Sequence, residues 1–152
     1  MKTYAIKYVE LGESHAEKMA KRWALDVQNN VHTKKYKELP ENEIIQQSVS
    51  FYHNFSKMFL EEKIREKTLE YFRTYAQESF AMGIPMDQAV YALILLRRHI
   101  WLYAEFQTVF SMGIEQRQAL DTLNRTILLF DHATYEVTKE YQRLMKKENN
   151  KK

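Results

Sequence analysis

The sequence predicts an all-α protein built from about five to seven helices, because its apolar side chains recur every three to four positions along most of the chain. Only three glycines and two prolines interrupt the 152 residues. Aromatic residues make up 13% of the chain, including ten Tyr and eight Phe, which favours long helices around a bulky core. The alternating pattern that marks a half-buried strand is missing.

Length and composition predict one soluble, cytoplasmic domain. The chain is long enough to bury most of its apolar surface without disulfide bonds or structural metals, and it contains no cysteine. Its start has no apolar signal core, and no stretch has the composition of a membrane span. The net charge of +3 matches that of the lysine-rich end of the chain. We therefore expect a single domain over residues 1–145, a disordered basic tail over residues 146–152, and no nucleic-acid face.

The N-terminal half predicts two helices joined by a polar connector over residues 32–39. Ser14 and Glu17 form a capping-box pattern that opens a helix over about residues 14–30. Pro40, followed by Glu41 and Glu43, opens the second helix, and a charged run at residues 60–63 is its expected break. The predicted buried stripes are Ala16, Met19, Ala20, Trp23, Val27 and Val31, then Ile44, Ile45, Ser48, Tyr52, Phe55 and Phe59.

The middle of the chain predicts a third helix that ends at Gly83 and a fourth that runs from Pro85 to about residue 110. The third helix buries Ile64, Thr68, Tyr71, Phe72, Tyr75 and Ser79. The fourth carries two apolar sectors and must be covered on two sides, one by the core and one by a partner subunit. These sectors are Met86, Val90, Leu93, Ile100 and Ala104, with Arg97 among them, and Ala92, Leu95, Leu96, His99, Tyr103, Phe106 and Phe110.

The corner at Gly83 is echoed thirty residues later, where residues 111–120 resemble residues 81–90. Two copies are too few for a solenoid. We therefore interpret the echo as two tight turns between helices that use similar residues. The last helix begins after Gly113, and its length of about 50 Å exceeds the roughly 38 Å expected for the domain. The end of this helix should extend beyond the domain, and we expect its apolar stripe to bind a partner. Its predicted stripe is Ala119, Leu120, Leu123, Ile127, Phe130, Val137, Tyr141 and Met145.

No catalytic motif is found, so we expect that the protein is not an enzyme. It lacks a glycine-rich phosphate loop, a His-Glu-x-x-His motif and a nucleophile elbow. None of its five histidines follows a glutamate by three residues, as a helical di-iron site requires. His99 and His132 stay open as single haem or metal ligands, although each is more readily a surface or core histidine.

Arg97 is the strongest candidate for binding a ligand. A guanidinium that faces the core cannot lose its charge, so it needs a carboxylate or a halide beside it. The alternatives are a salt bridge to Asp131 or Glu105, or a head group that reaches the edge of the core. The many aromatic residues expected nearby, Trp101 among them, are compatible with an elongated apolar cavity.

The order and spacing of several short motifs resemble the haemless globin-like sensor domains of RsbR-type stressosome proteins and of some sporulation histidine kinases. The nearest group is the stand-alone sensor-domain proteins of spore-forming bacilli that inhibit sporulation. The resemblance covers nearly the whole chain. It rests on Trp23, Leu39-Pro40-Glu41-Asn42-Glu43, Phe80-Ala81-Met82-Gly83-Ile84-Pro85, Leu96-Arg97-Arg98 with Trp101, and Phe130-Asp131-His132-Ala133 with Tyr141.

This resemblance implies a globin-like fold without haem, whose last two long helices pair in a homodimeric four-helix bundle. Globin-coupled sensors carry their iron ligand four residues before the corner glycine, and here that position is Ser79. Members of the group are described as binding a fatty acid in a hydrophobic tunnel with a small anion nearby. We therefore expect a fatty acid and a halide ion as ligands, and neither haem nor a metal.

The expected function is a sensor that inhibits sporulation by competing with a sensor histidine kinase for its signal or its dimer partner. A haem-binding gas sensor and a ligand-free interaction domain are the alternatives. Arg97 would bind the carboxylate or halide. The acyl chain would lie among the predicted apolar ligand residues, which are Tyr52, Phe55, Phe72, Tyr75, Leu93, Ile100, Leu123 and Ile127.

Overall fold

A computed structural model describes residues 10, 14–59, 66–106 and 116–151, and every regular element in these ranges is helical. This confirms the all-α class, while the globin-like arrangement stays a prediction. None of the described helices combines the length and apolarity that crossing a bilayer requires. The helices are α1 (Ala16–Asn29), a short 3-10 helix (Lys34–Glu38), α2 (Glu41–Phe59), α3 (Glu66–Ala81), α4 (Met86–Phe106) and α5 (Gln116–Asn150).

Helix α4 packs against both α1 and α5. The Trp23 indole Nε1 of α1 donates to the Ala92 carbonyl oxygen at 2.9 Å, and the Tyr52 hydroxyl of α2 donates to the Leu96 carbonyl oxygen at 3.1 Å. Ala92, Leu93, Leu95 and Leu96 are all buried. Helices of the same chain therefore contact α4, and coverage of its other side by a partner subunit stays a prediction.

Helix α1 begins differently from the predicted capping box. Its N-cap is His15, whose side chain makes no capping hydrogen bond, and the Ser14 hydroxyl donates to the Glu10 carbonyl oxygen at 2.6 Å. The capping-box prediction was therefore wrong, because the N-cap of α1 is His15, one residue after Ser14. Val31 was also placed wrongly in the buried stripe: α1 ends at Asn29, and Val31 lies exposed in the turn that follows.

Helix α2 begins where the sequence predicted. The Pro40 carbonyl oxygen accepts the backbone N–H groups of Glu43 at 3.2 Å and Ile44 at 3.3 Å. The predicted stripe is buried apart from Ile45, which is half-buried. The described part of the helix ends at Phe59, and the expected break at residues 60–63 lies outside the described residues.

The corner between α3 and α4 is a Schellman motif. The backbone N–H of Ile84 donates to the Ser79 carbonyl oxygen and that of Gly83 donates to the Phe80 carbonyl oxygen, both at 3.0 Å. Gly83 has a φ of 77°, in the left-handed region. Pro85 then starts α4, since its carbonyl oxygen accepts the Ala89 N–H at 3.0 Å. The predicted corner is confirmed, and the glycine of its echo lies outside the described residues.

Replacing Gly83 with alanine should lower the free energy of unfolding by about 1 kcal/mol, because an L side chain at this positive φ is strained. Crowding adds little, since a Cβ there would meet the Lys35 Cε at an ordinary 3.5 Å. Urea unfolding followed by circular dichroism measures the change. Gly83→Asn is the matched control and should cost less, because asparagine tolerates the left-handed region. Equal losses for both variants would contradict this account.

Helix α5 is longer than predicted, and its buried face is partly different. Leu120, Ile127 and Met145 are exposed, whereas Phe130, Val137 and Tyr141 are buried as expected. Residues 146–150 are helical, so the predicted disordered tail was wrong there. Lysine and glutamate are good helix formers and extend the helix into solvent. The predicted stripe missed several residues of the buried face, namely Thr122, Thr126, Leu129, Ala133, Glu136 and Glu140.

Candidate ligand-binding cleft

An open cleft of about 420 Å³ lies between helices α4 and α5. Arg97 and Arg98 line it from α4, and Leu123, Thr126 and Ile127 line it from α5. Leu123 is half-buried, Ile127 is 39% exposed, and Thr126 is buried with its hydroxyl donating to the Thr122 carbonyl oxygen at 2.8 Å. The cleft therefore combines a cationic side on one helix with a largely apolar side on the other.

The two arginines of the cleft make no hydrogen bond or ion pair within the part of the chain that the structure describes. Arg97 is half-buried and Arg98 is exposed. Asp131, one predicted salt-bridge partner of Arg97, lies exposed on α5 and does not pair with it, and the side chain of Glu105, the other, lies outside the described residues. Among the described residues no carboxylate pairs with the Arg97 guanidinium, a group that binds anions through charge-assisted hydrogen bonds.

The nine predicted ligand residues fall into two groups. Arg97, Leu123 and Ile127 line the same cleft. The remaining six are buried in the core and do not line the cleft. They are Tyr52, Phe55, Phe72, Tyr75, Leu93 and Ile100.

The buried group packs as an aromatic core. The Phe51 ring lies 6.0 Å from that of Phe55, 6.4 Å from that of Phe72 and 5.6 Å from that of Phe130, measured between ring centroids. The Tyr75 hydroxyl donates to the Ala89 carbonyl oxygen at 2.9 Å. Burial raises the pKa of Tyr75 far above its usual value, so this hydroxyl stays protonated. These side chains stabilise the core, and a tunnel among them stays a prediction.

Sequence reasoning missed Arg98 and Thr126 as lining residues of the cleft. The sequence position of each residue could have indicated its place in the cleft. Arg98 directly follows Arg97, and Thr126 lies three residues after Leu123, within the spacing that puts two side chains on the same face of a helix.

The histidines proposed as haem or metal ligands lie apart from the cleft lining. His99 is hydrogen-bonded through Nε2 to the Asp26 carboxylate at 2.8 Å, which links α4 to α1, and His132 is half-buried on α5. Ser79, at the position of the iron ligand in globin-coupled sensors, is buried, and its Oγ accepts the Gln47 Nε2 at 3.2 Å. Across the described ranges, no three His, Cys, Asp or Glu side chains gather as a metal site.

Two buried carboxylates on α5 are paired with arginines. The Arg73 Nε of α3 donates to Glu136 at 3.0 Å, and the Arg143 Nε donates to Glu140 at 2.7 Å. The hydrogen bond from Arg143 is the main cause that holds the pKa of Glu140 below its usual 4.5, although burial opposes it. These pairs explain how acidic residues occupy the face of α5 that packs on α3.

The lowered pKa of Glu140 predicts a loss of stability in acid. Its contribution is fully present above its unfolded value of about 4.5 and is lost as the pH falls through the lower folded value. Glu140→Gln should therefore weaken the dependence of the urea midpoint on pH below about 4.5. Asp131→Asn, an exposed change on the same helix, is the control and should leave that dependence as it is. A wild-type dependence in Glu140→Gln would contradict the assignment.

Comparison of the chain with the models of known protein families, with curated proteins and with solved structures finds no match.

Proposed function

We propose that the chain is a sensor domain whose cleft between α4 and α5 binds a fatty acid or a related carboxylate amphiphile. The observation that carries this proposal is the pair of arginines without anionic partners among the described residues, Arg97 and Arg98, beside Leu123 and Ile127 in one cleft. A planar guanidinium binds a carboxylate through two parallel hydrogen bonds. The apolar side chains opposite offer contact for the start of an acyl chain. A halide could bind the same arginines when no carboxylate is present.

A homodimer is the second part of the proposal. Leu120, Leu128 and Tyr135 are exposed on α5, and together with Ile127 they fall within a sector of about 100° on the helix. Because Ile127 also lines the cleft, the exposed face is continuous with the cleft. A second copy that packs its α5 against this face would bury these side chains and cover the open side of the cleft.

The regulatory role follows from the resemblance to haemless sensor domains. We propose that the domain inhibits sporulation in the cytoplasm by competing with a sensor histidine kinase for the ligand or for the dimer partner. Competition for the ligand would take place at the cleft, and competition for the dimer partner would take place at the exposed face of α5.

Native mass spectrometry of the protein purified from cells without added lipid tests the ligand and the dimer together. The proposal expects a dimer mass that carries a fatty-acid adduct, which is released on denaturation. A bare mass would favour a ligand-free interaction domain. A haem mass with a Soret band would favour the gas-sensor alternative.

The apolar side of the cleft predicts a dependence on acyl chain length. Calorimetric titration with straight-chain acids should show binding that tightens by up to about fourfold for each added methylene until the cleft is filled, as expected from about 0.8 kcal/mol per buried methylene. The primary alcohol of the same length is the matched control ligand and should bind more weakly, because it lacks the carboxylate. Affinity that does not change with length would contradict an acyl-binding cleft.

A further inference from the structure

The charged side chains on the exposed face of α5 are separated by sign along the helix. Asp121 and Asp131 lie in the N-terminal half of this face, and Lys139 and Lys146 lie in the C-terminal half. At about 100° per residue, all four fall within the exposed apolar sector of α5 or about 20° beyond its edge. No other acidic or basic side chain of residues 120–150 falls in this range. One half of the face is therefore negative and the other half positive.

These four charges are available to a partner. Asp121 is half-buried, the other three are exposed, and neither aspartate forms an ion pair with a described residue, nor does Lys146. The Lys139 Nζ lies 3.9 Å from the Glu136 carboxylate, which already accepts a hydrogen bond from another helix at 3.0 Å. The side chain of Lys139 is 65% exposed.

The separation of charge favours one orientation of two copies over the other. In a parallel pair of α5 helices, each half would face the same half of the second copy, so that lysines would lie opposite lysines. In an antiparallel pair, the acidic half of each copy faces the basic half of the other. Exposed ion pairs add little stability, but like charges held together weaken binding, so charge mainly selects the orientation.

The charged residues also indicate where the two-fold axis lies. An antiparallel pair that places Asp121 opposite Lys146 of the partner subunit has its midpoint between residues 133 and 134. A pair that places Asp131 opposite Lys139 of the partner subunit has its midpoint at residue 135. The two midpoints differ by less than one helical turn, so one axis satisfies both pairs.

The apolar residues of the face give nearly the same position. Ile127 and Met145 are 39% and 45% exposed and lie five turns apart on the same side of α5. The midpoint between them is residue 136. Tyr135, which is 66% exposed, lies beside this axis and would meet its own copy there. The charged and the apolar patterns therefore agree on one antiparallel arrangement.

We propose that two copies of the chain pair their α5 helices in antiparallel orientation, with the two-fold axis beside Tyr135. This inference rests on the homodimer of the proposed function and adds its orientation. Because Ile127 lines the arginine cleft, Met145 of the partner subunit lies over the open side of that cleft. Each ligand site is thus completed by an apolar side chain of the second copy.

Distances between spin labels test the orientation in the full-length dimer. The chain contains no cysteine, so one introduced cysteine carries the label at a single position. In Asn149→Cys, electron–electron resonance should give a separation of about 40 Å or more, because each label lies about fourteen residues from the axis. Parallel helices would bring the same labels within about 25 Å. Thr138→Cys, close to the axis, is the matched control and should give less than about 25 Å.

Charge reversal in the basic half provides an independent measurement. Lys139→Glu combined with Lys146→Glu should raise the dimer dissociation constant by about tenfold or more in sedimentation experiments, because two acidic halves then face each other. Lys18→Glu combined with Lys21→Glu makes the same change of net charge at exposed positions of α1 and should leave the constant unchanged. Equal weakening by both double variants would show only a general effect of charge and would contradict the proposal.

The acidic half allows a rescue experiment. Asp121→Lys combined with Asp131→Lys should weaken self-association in the same way, because both halves of the face become basic. A mixture of this variant with the one that carries glutamate at positions 139 and 146 should form heterodimers. Failure of the mixture to associate would contradict the antiparallel pairing.

The outcomes separate this inference from the proposed function. A dimer with a short distance in Asn149→Cys would overturn the antiparallel orientation and leave the homodimer in place. A dimer with long distances in both labelled variants would place the contact outside α5 and overturn the proposed face as well. A monomer would overturn both and leave the face of α5 to a different partner.

Discussion

Replacing Trp23 with alanine is expected to lower the free energy of unfolding by about 3–5 kcal/mol. The indole is 0% exposed and donates to the Ala92 carbonyl oxygen. Its ring meets the Tyr36 ring edge-on, with 6.0 Å between centroids. Since Trp23 joins α1, the 3-10 helix and α4, its truncation opens a cavity where three elements meet.

Urea unfolding and thermal melting followed by circular dichroism measure this loss. Domains are stable by only about 5–15 kcal/mol, so the variant should be marginal and should melt roughly 10 °C lower. Leu25→Ala is the matched control on the same helix: Leu25 is 66% exposed, and its loss should stay within about 0.5 kcal/mol. Trp23→Phe should fall between the two. A similar loss for Trp23→Ala and Leu25→Ala would mean that α1 does not pack on α4 as described.

Replacing Arg97 with leucine is expected to weaken carboxylate binding by about ten- to a hundredfold, because it removes a charged, two-pronged hydrogen-bond donor from the cleft. Arg97 pairs with no described carboxylate, so its loss breaks no described ion pair. Stability should therefore change much less than affinity. Calorimetric titration with a fatty acid measures the affinity, and urea unfolding of the same sample measures the stability.

Three further variants define the role of Arg97. Arg97→Lys should recover part of the affinity, since it keeps the charge but loses the planar donor. Arg98→Leu should have a smaller effect, because Arg98 is more exposed. Arg22→Leu, an exposed change on α1 outside the cleft, should leave binding unchanged. Ligand binding by Arg97→Leu that equals the wild type would remove Arg97 from the proposed site.

The first four helices and the corner at Gly83 could be predicted because their signals are local. A glycine that can adopt a positive φ, a proline in the first helical turn and a regular apolar stripe act through their near neighbours in the chain. The capping box at Ser14 is the exception, since the N-cap of α1 lies one residue later, at His15.

The candidate site could be predicted only in part. The structure brings Arg97, Leu123 and Ile127 together in the cleft between α4 and α5, while their role in ligand binding stays a prediction. The other six residues were assigned to the same site because aromatic and aliphatic side chains suit a packed core and an acyl pocket equally well. Chemical type does not distinguish the two, and only the positions of neighbouring helices do.

By itself, the order of residues determined that this chain is helical, where α2 begins and α3 ends, and which sides of α1 to α3 are apolar. Each of these follows from the spacing of apolar residues or from a proline or glycine at the end of a helix. Tertiary structure decided which face of α5 is covered, because Arg73 of a distant helix reaches Glu136 and allows a carboxylate to be buried. It also decided that Arg97 faces an open cleft, because that depends on how closely α5 approaches α4.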